Sequence, residues 1–216
     1  MIHAYDKLYL ERARTALARM LDVGVNDYGL SLSDFYQLFL ESTVAERFQE
    51  GDYEMLVGHS GAELAWKVLE ASGGPFEYKT PQPALDRSEE YWTGWALAYY
   101  QWRTALTFSE IQNVVPIEDV RAMYMPYHEM DISHFCEAMD GFYRNAYPET
   151  NLKRLRVAAG LSQQQLADAV GTSVRTIQQY EQRQKSINKA SAEYIIMLSK
   201  ALFCSVEDLI EKDYPQ

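Results

Sequence analysis

Cysteine is nearly absent from this sequence. Its two copies, Cys136 and Cys204, lie in segments of helical pattern with no CxxC and no His cluster beside them. That excludes a disulfide framework or a zinc site and leaves buried free thiols in a reducing compartment as the expectation. Proline (7) and glycine (11) are too sparse in 216 residues for a low-complexity or fibrous chain. No apolar run reaches the roughly eighteen residues that a membrane helix needs. From Met1 to Leu10, Asp6 and Lys7 interrupt the apolar residues, so a secretory leader is not expected. The four histidines, His3, His59, His128 and His134, form no HxxxH pair. No nucleophile motif or glycine-rich phosphate loop is present, so neither a metal, a cofactor nor an enzymatic activity is expected. With 47% hydrophobic and 24% charged residues, a soluble cytoplasmic chain remains, long enough for one large domain or two smaller ones.

The charge is uneven. From Asn151 to Ala190 the basic residues are Lys153, Arg154, Arg156, Arg175, Arg183, Lys185 and Lys189, against only Asp168 and Glu181, a net +5. The whole chain carries -11, which leaves -16 for the remainder. Such asymmetry points to a basic functional module attached to an acidic one, each with its own partner.

Helical spacing dominates the acidic part. Leu10, Ala13, Leu17, Met20 and Gly24 share one face, and Phe35, Leu38 and Phe39 follow Ser31 and Ser33, either of which suits a helix cap. Thr43 with Glu46, and Ser60 with Glu63, have capping-box spacing. Gly73, Gly74 and Pro75 stop the helix that Ser60 begins and open an irregular connection to Pro83, in which only Phe76 to Thr80 has the pattern of a short strand. Trp92, Trp95, Tyr99, Trp102 and Leu106 form an aromatic stripe on a helix from about Ser88 to Leu106. We read the stripe as the buried face of that helix, ahead of a cofactor slot, a base-stacking platform or a small-molecule pocket, because neighbours such as Glu89 and Glu90 repel phosphate. Further helices start near Thr107, Pro116 and Asp131, and Tyr147-Pro148-Glu149-Thr150 breaks the last of them. The expected division is an acidic helical domain over 1–148 and a second domain over 151–212.

The second domain carries the informative residue order. Leu152, Leu155 and Ala159 share a face that Gly160 ends, and Ser162 with Gln165 caps a short helix whose inward residues are Leu166 and Val170. Ala167 leaves room for a crossing helix, Gly171 suits a turn at positive φ, and Ser173 caps a third helix that buries Ile177 and Tyr180. The run Leu161-Ser162-Gln163-Gln164-Gln165-Leu166-Ala167, through Gly171-Thr172-Ser173 to Ile177-Gln178-Gln179-Tyr180-Glu181, resembles the phage Cro/C1-type, or XRE, helix-turn-helix. Segments Ile195 to Leu202 and Val206 to Ile210 resemble the last two helices of that family, which implies an all-α chain ending in a five-helix, lambda-repressor-like DNA-binding domain. Gln182 and Arg183 replace the usual Asn-Gly, and the usual later proline is missing, so the loop to Ser191 is expected to take its own path.

The resemblance implies that the helix from Val174 to about Gln182 lies in the major groove of double-stranded DNA. Ser173, Val174, Arg175, Gln178 and Gln179 then approach base edges, where Arg pairs with guanine, Gln with adenine and Val with a thymine methyl. Gln163 and Thr172 grip phosphates, with Lys185 and Lys189 as electrostatic support. The expected function is a sequence-specific transcriptional regulator, a repressor, acting as a homodimer on a pseudo-palindromic operator. The alternative is an antitoxin whose acidic domain binds a protein partner while the helix-turn-helix autoregulates the operon.

Overall fold

The computed structural model describes residues 3–82 and 87–211 and divides into two compact units, Met1–Phe142 and Tyr143–Gln216. All regular elements among the described residues are helical. In the first unit the α-helices are α1 (Lys7–Asp22), α2 (Leu32–Glu41), α3 (Thr43–Gln49), α4 (Gly61–Ala71), α5 (Glu89–Thr104), α6 (Phe108–Val114), α7 (Ile117–Ala122) and the single kinked turn α8 (Tyr124–Tyr127). Helix α9 (Ile132–Ala146) starts there and runs through the division.

Helix α1 is the hub of this unit, packed against both α4 and α5. Small residues allow it: Ala13 and Ala18 are fully buried, and Gly94 of α5 lies so close to α1 that an added Cβ would sit 2.7 Å from the Ala18 Cα. Local capping is mostly as the sequence predicts. Ser31 accepts from the Asp34 amide, Ser60 and Glu63 form a reciprocal capping box, and Thr107 and Pro116 open α6 and α7. The Thr43–Glu46 box does not form. One residue, Ser42, separates α2 from α3; it takes the N-cap position, and its hydroxyl donates to the Phe39 carbonyl at 2.7 Å. No strand forms at Phe76–Thr80. That segment is irregular, tied back by the Tyr28 hydroxyl, which donates to the Glu77 carbonyl at 2.9 Å and accepts from the Lys79 amide at 3.1 Å. Pro83, the expected end of this connection, lies outside the described residues.

The aromatic stripe on α5 needs a correction. Trp92 and Trp102 are buried, but Trp95 and Tyr99 are only half-buried, and Leu106 lies past the helix, which ends at Ala105 in the left-handed region (φ 54°). The helix is buried nearly all round, on Thr93, Gly94, Ala96, Leu97, Ala98, Tyr100 and Gln101 as well as on the tryptophans, so the stripe is one edge of a central helix. Its half-buried middle is covered by Arg14 of α1, whose guanidinium lies 3.3 Å from the Trp95 ring centroid and 4.9 Å from that of Tyr99. Burial lowers the pKa of Arg14, opposed by its 2.8 Å bond to Glu11. Nearby, Asp140 accepts from the Tyr100 hydroxyl (3.0 Å) and from Arg103 (2.9 Å). Burial pushes the Cys136 thiol beside Arg103 up to about 11, so it stays protonated at neutral pH, and Cys204 is half-buried.

The second unit contains the end of α9, then α10 (Asn151–Ala158), α11 (Gln163–Ala169), α12 (Val174–Glu181), a 3-10 turn (Ile187–Lys189), α13 (Ala192–Leu202) and α14 (Val206–Leu209). Thr150 caps α10, so the break between α9 and α10 falls at Tyr147–Thr150. Its core is Leu152, Leu166, Ala167, Val170, Ile177, Ile187, Ile195, Leu198, Leu202 and Leu209. Ala159 is exposed instead of joining this face: it caps α10 after the helix has ended, and Arg156 takes the inward place.

Candidate nucleic-acid interface

Helix α11, the turn after it and α12 are set by local bonds. The Ser162 amide donates to the Gln165 side chain (2.8 Å), and the Gln165 amide donates back to the Ser162 hydroxyl (3.1 Å). Gly171 takes φ +67°, which turns the chain so that the Thr172 amide donates to the Ala167 carbonyl at 2.9 Å. Ser173 then caps α12, accepting from the Thr176 amide at 3.1 Å. Ala167 and Ile177 are fully buried between the two helices and the core.

Beneath them lies a pair that sequence reasoning did not single out. Arg156 of α10 donates through Nε to Glu181 Oε1 (2.5 Å) and through Nη2 to Oε2 (3.1 Å), a bidentate bond with both residues buried. Burial alone would raise the Glu181 carboxyl. The bonds from Arg156 and Gln163 outweigh it, so its pKa is lowered, and that of Arg156 is raised by the same bond. Gln163 Nε2 donates to Glu181 Oε2 (2.8 Å), and Gln163 Oε1 accepts from Gln178 Nε2 (3.2 Å). A chain of bonds thus runs from the buried ion pair to the surface of α12. Each glutamine still holds a second N–H, and Gln178 also keeps its carbonyl oxygen, the donor and acceptor that an adenine edge requires. The available signal was Arg156, one turn after Leu152 on the inward face of α10.

The remaining expected contact residues divide by exposure. Arg175 and Ser173 are exposed in the first turn of α12 and its cap, and Arg175 has no ion pair among the described residues. Gln178, Gln179 and Thr172 are half-buried. Val174 is half-buried and packs at the edge of the core, so only part of it faces outward. Lys185 and Lys189 are exposed in the following loop. The seven cations are not equivalent: Arg156 is spent on Glu181, Lys153 pairs with Glu149 (2.7 Å) and Arg183 with Glu211 (3.9 Å), which leaves Arg154, Arg175, Lys185 and Lys189 exposed on the surface.

The sequence departure after Glu181 has a structural counterpart. Arg183 sits at φ +56°, where glycine is favoured, and its guanidinium donates to the carbonyls of Pro148 (2.9 Å), Tyr147 (3.1 Å) and Glu149 (3.3 Å). Asn188 closes the same loop: it accepts from the Glu211 amide (2.9 Å) and donates to the Glu211 carbonyl (2.5 Å). Arg183→Ala keeps the unfavourable φ and loses the three bonds. We expect it to lower the stability of this unit by about 1–3 kcal/mol, read by hydrogen exchange of its core amides, whereas Arg183→Gly loses less.

Residues 152–209 match the family model described as Helix-turn-helix. This part of the chain is a helix-turn-helix domain of the Cro/C1 type. The match supports a DNA-binding transcription regulator, and it spans the five α-helices α10 to α14, except for the first residue of α10. No curated protein and no solved structure matches the chain. Helices α11 and α12, with the turn at Gly171 between them, are the two helices of the helix-turn-helix. Among the described residues no group of three or more His, Cys, Asp or Glu is placed to hold a metal ion, and no helix is long and apolar enough to cross a membrane.

Proposed function

We propose that the protein is a cytoplasmic, sequence-specific repressor that binds a pseudo-palindromic operator as a homodimer, with the helix from Val174 to Gln182 in the major groove. The supporting observation is the first half of α12, where Arg175 is exposed with no ion pair among the described residues while Gln178, one turn on, is held by Gln163. A fixed glutamine and an exposed arginine three residues apart on one helix face suit one adenine and one guanine. Ser173, Val174 and Gln179 complete the base-facing set, and Gln163, Thr172, Lys185 and Lys189 contact phosphates.

In this reading Arg175→Ala costs about 1–3 kcal/mol on the preferred site and much less on random DNA, because paired donors read guanine whereas charge alone does not. Fluorescence anisotropy on both duplexes measures the difference. Equal losses on the two would make Arg175 a phosphate contact.

The acidic domain over 1–148 has a separate role as the surface for a protein partner. Its arginines are largely used internally: Arg14, Arg19, Arg47, Arg103 and Arg121 each pair with a carboxylate, and with 11 Lys and Arg against 23 Asp and Glu its net charge of -12 is poorly suited to nucleic acid and well suited to a basic protein. This feature keeps the antitoxin reading in view. Co-purification of a small basic protein encoded beside this gene would favour it over a plain regulator.

A further inference from the structure

Helix α13 buries one side and leaves the other bare. Ile195, Leu198, Ser199 and Leu202 face the core of the helix-turn-helix domain. On the opposite side Ile196 is 43% exposed and Met197 37%, flanked by exposed Glu193 and Lys200, and Phe203 just past the helix is 94% exposed. Phe203 also sits at φ 54°, a left-handed position that a phenylalanine adopts at a cost. The conformation closes α13, with the Phe203 and Cys204 amides donating to the Ser199 carbonyl, but within one chain the exposure of the ring is offset by no packing.

The order of these residues is symmetric about the midpoint between Ile196 and Met197. If two copies of α13 cross antiparallel on a two-fold axis at that point, Ile196 of each meets Met197 of the other. Glu193 meets Lys200, Ala192 meets Ala201, and Phe203 falls on the small residue Ala190. Glu193, Ile196, Met197 and Lys200 lie within about 100° of arc, the width of one helix contact face. Glu193 and Lys200 have no ion pair among the described residues. The helix dipole favours an acid in the first turn and a base in the last, which accounts for the two signs but not for the apolar residues between them.

We propose that this face of α13 is the two-fold interface of the homodimer, its occupant a second copy of the same chain. The proposal rests on the homodimer reading above and assigns it a surface. Two Glu193–Lys200 pairs per dimer fix the antiparallel register, and Ile196, Met197 and Phe203 supply the apolar burial.

Sedimentation velocity of the full chain over a range of concentrations tests it, with helicity checked by circular dichroism because reversing either charge opposes the helix dipole. Glu193→Lys and Lys200→Glu should each weaken the dimer by about tenfold or more, since each creates two repulsive pairs. The double variant E193K/K200E should recover most of that loss, and Ile196→Glu should give a monomer. A dimer that none of these substitutions affects would overturn the assigned surface while leaving the homodimer reading intact. A chain that stays monomeric both free and on its selected DNA would overturn both. Binding of a short random duplex at moderate salt, measured beside these, should be retained in monomeric variants within the small shift that their altered charge brings, which separates loss of the interface from loss of DNA binding.

Discussion

Glu181→Ala should destabilise the helix-turn-helix by about 3–5 kcal/mol, because it leaves Arg156 buried with no counter-charge. The same substitution removes the anchor of Gln163 and, through it, of Gln178. Specific DNA affinity should therefore fall even under conditions where the domain stays folded. The effect depends on pH with a definite sign. The folded-state pKa of Glu181 is lowered, so its contribution is complete above the unfolded carboxylate value of about 4.3 and is lost as pH falls through the folded value. The advantage of the wild type over Glu181→Gln should thus be largest at neutral pH and shrink below about pH 4. Tryptophan fluorescence would miss this, since Trp66, Trp92, Trp95 and Trp102 all lie in the first unit. Hydrogen exchange at the buried core of α12, around Ile177, reads it directly.

Trp92→Ala should cost the first unit about 3–5 kcal/mol, the range for emptying a large aromatic site. Trp92 is 7% exposed and packs edge-on against Tyr124 (5.7 Å) and Phe135 (5.5 Å), so its removal leaves a cavity that neighbouring helices cannot easily close. Trp95→Ala, on the same side of α5, should cost less: its site is half open, and the main loss is the stacking partner of Arg14, worth about 2 kcal/mol. Urea denaturation followed by far-ultraviolet circular dichroism gives the order. If Trp95 proves the costlier of the two, the stripe is the core of this unit after all, and the burial of α5 on its small residues matters less than the structure indicates.

How well each feature could be read from the sequence depended on the range of the interactions behind it. The helix starts at Ser60, Ser162 and Ser173 and the turn at Gly171 were readable because the groups that satisfy each other lie within a few residues. Arg156 and Glu181 are 25 positions apart, and a salt bridge between distant helices has no local pattern. The role of α5 was misjudged for a related reason. A helix buried on every side places glycine, alanine and threonine where neighbours approach most closely, and its bulky residues then mark the wider gaps instead of the inward face. At the candidate interface, the exposed side of α12 followed from helical periodicity. The bond between Gln163 and Gln178 required the relative placement of α11 and α12, and the inward lean of Val174 required the core beneath it.

Selection of bound sequences from a random DNA pool by the full-length protein asks whether α12 reads DNA sequence. A dimer reading DNA with α12 should enrich a pseudo-palindrome with half-sites about one helical turn apart. Repeating the selection with Arg175→Ala should relax one base pair in each half-site, with the rest of the motif retained. A pool that shows no enrichment, with the helix-turn-helix domain folded as judged by hydrogen exchange, would contradict sequence-specific recognition by α12.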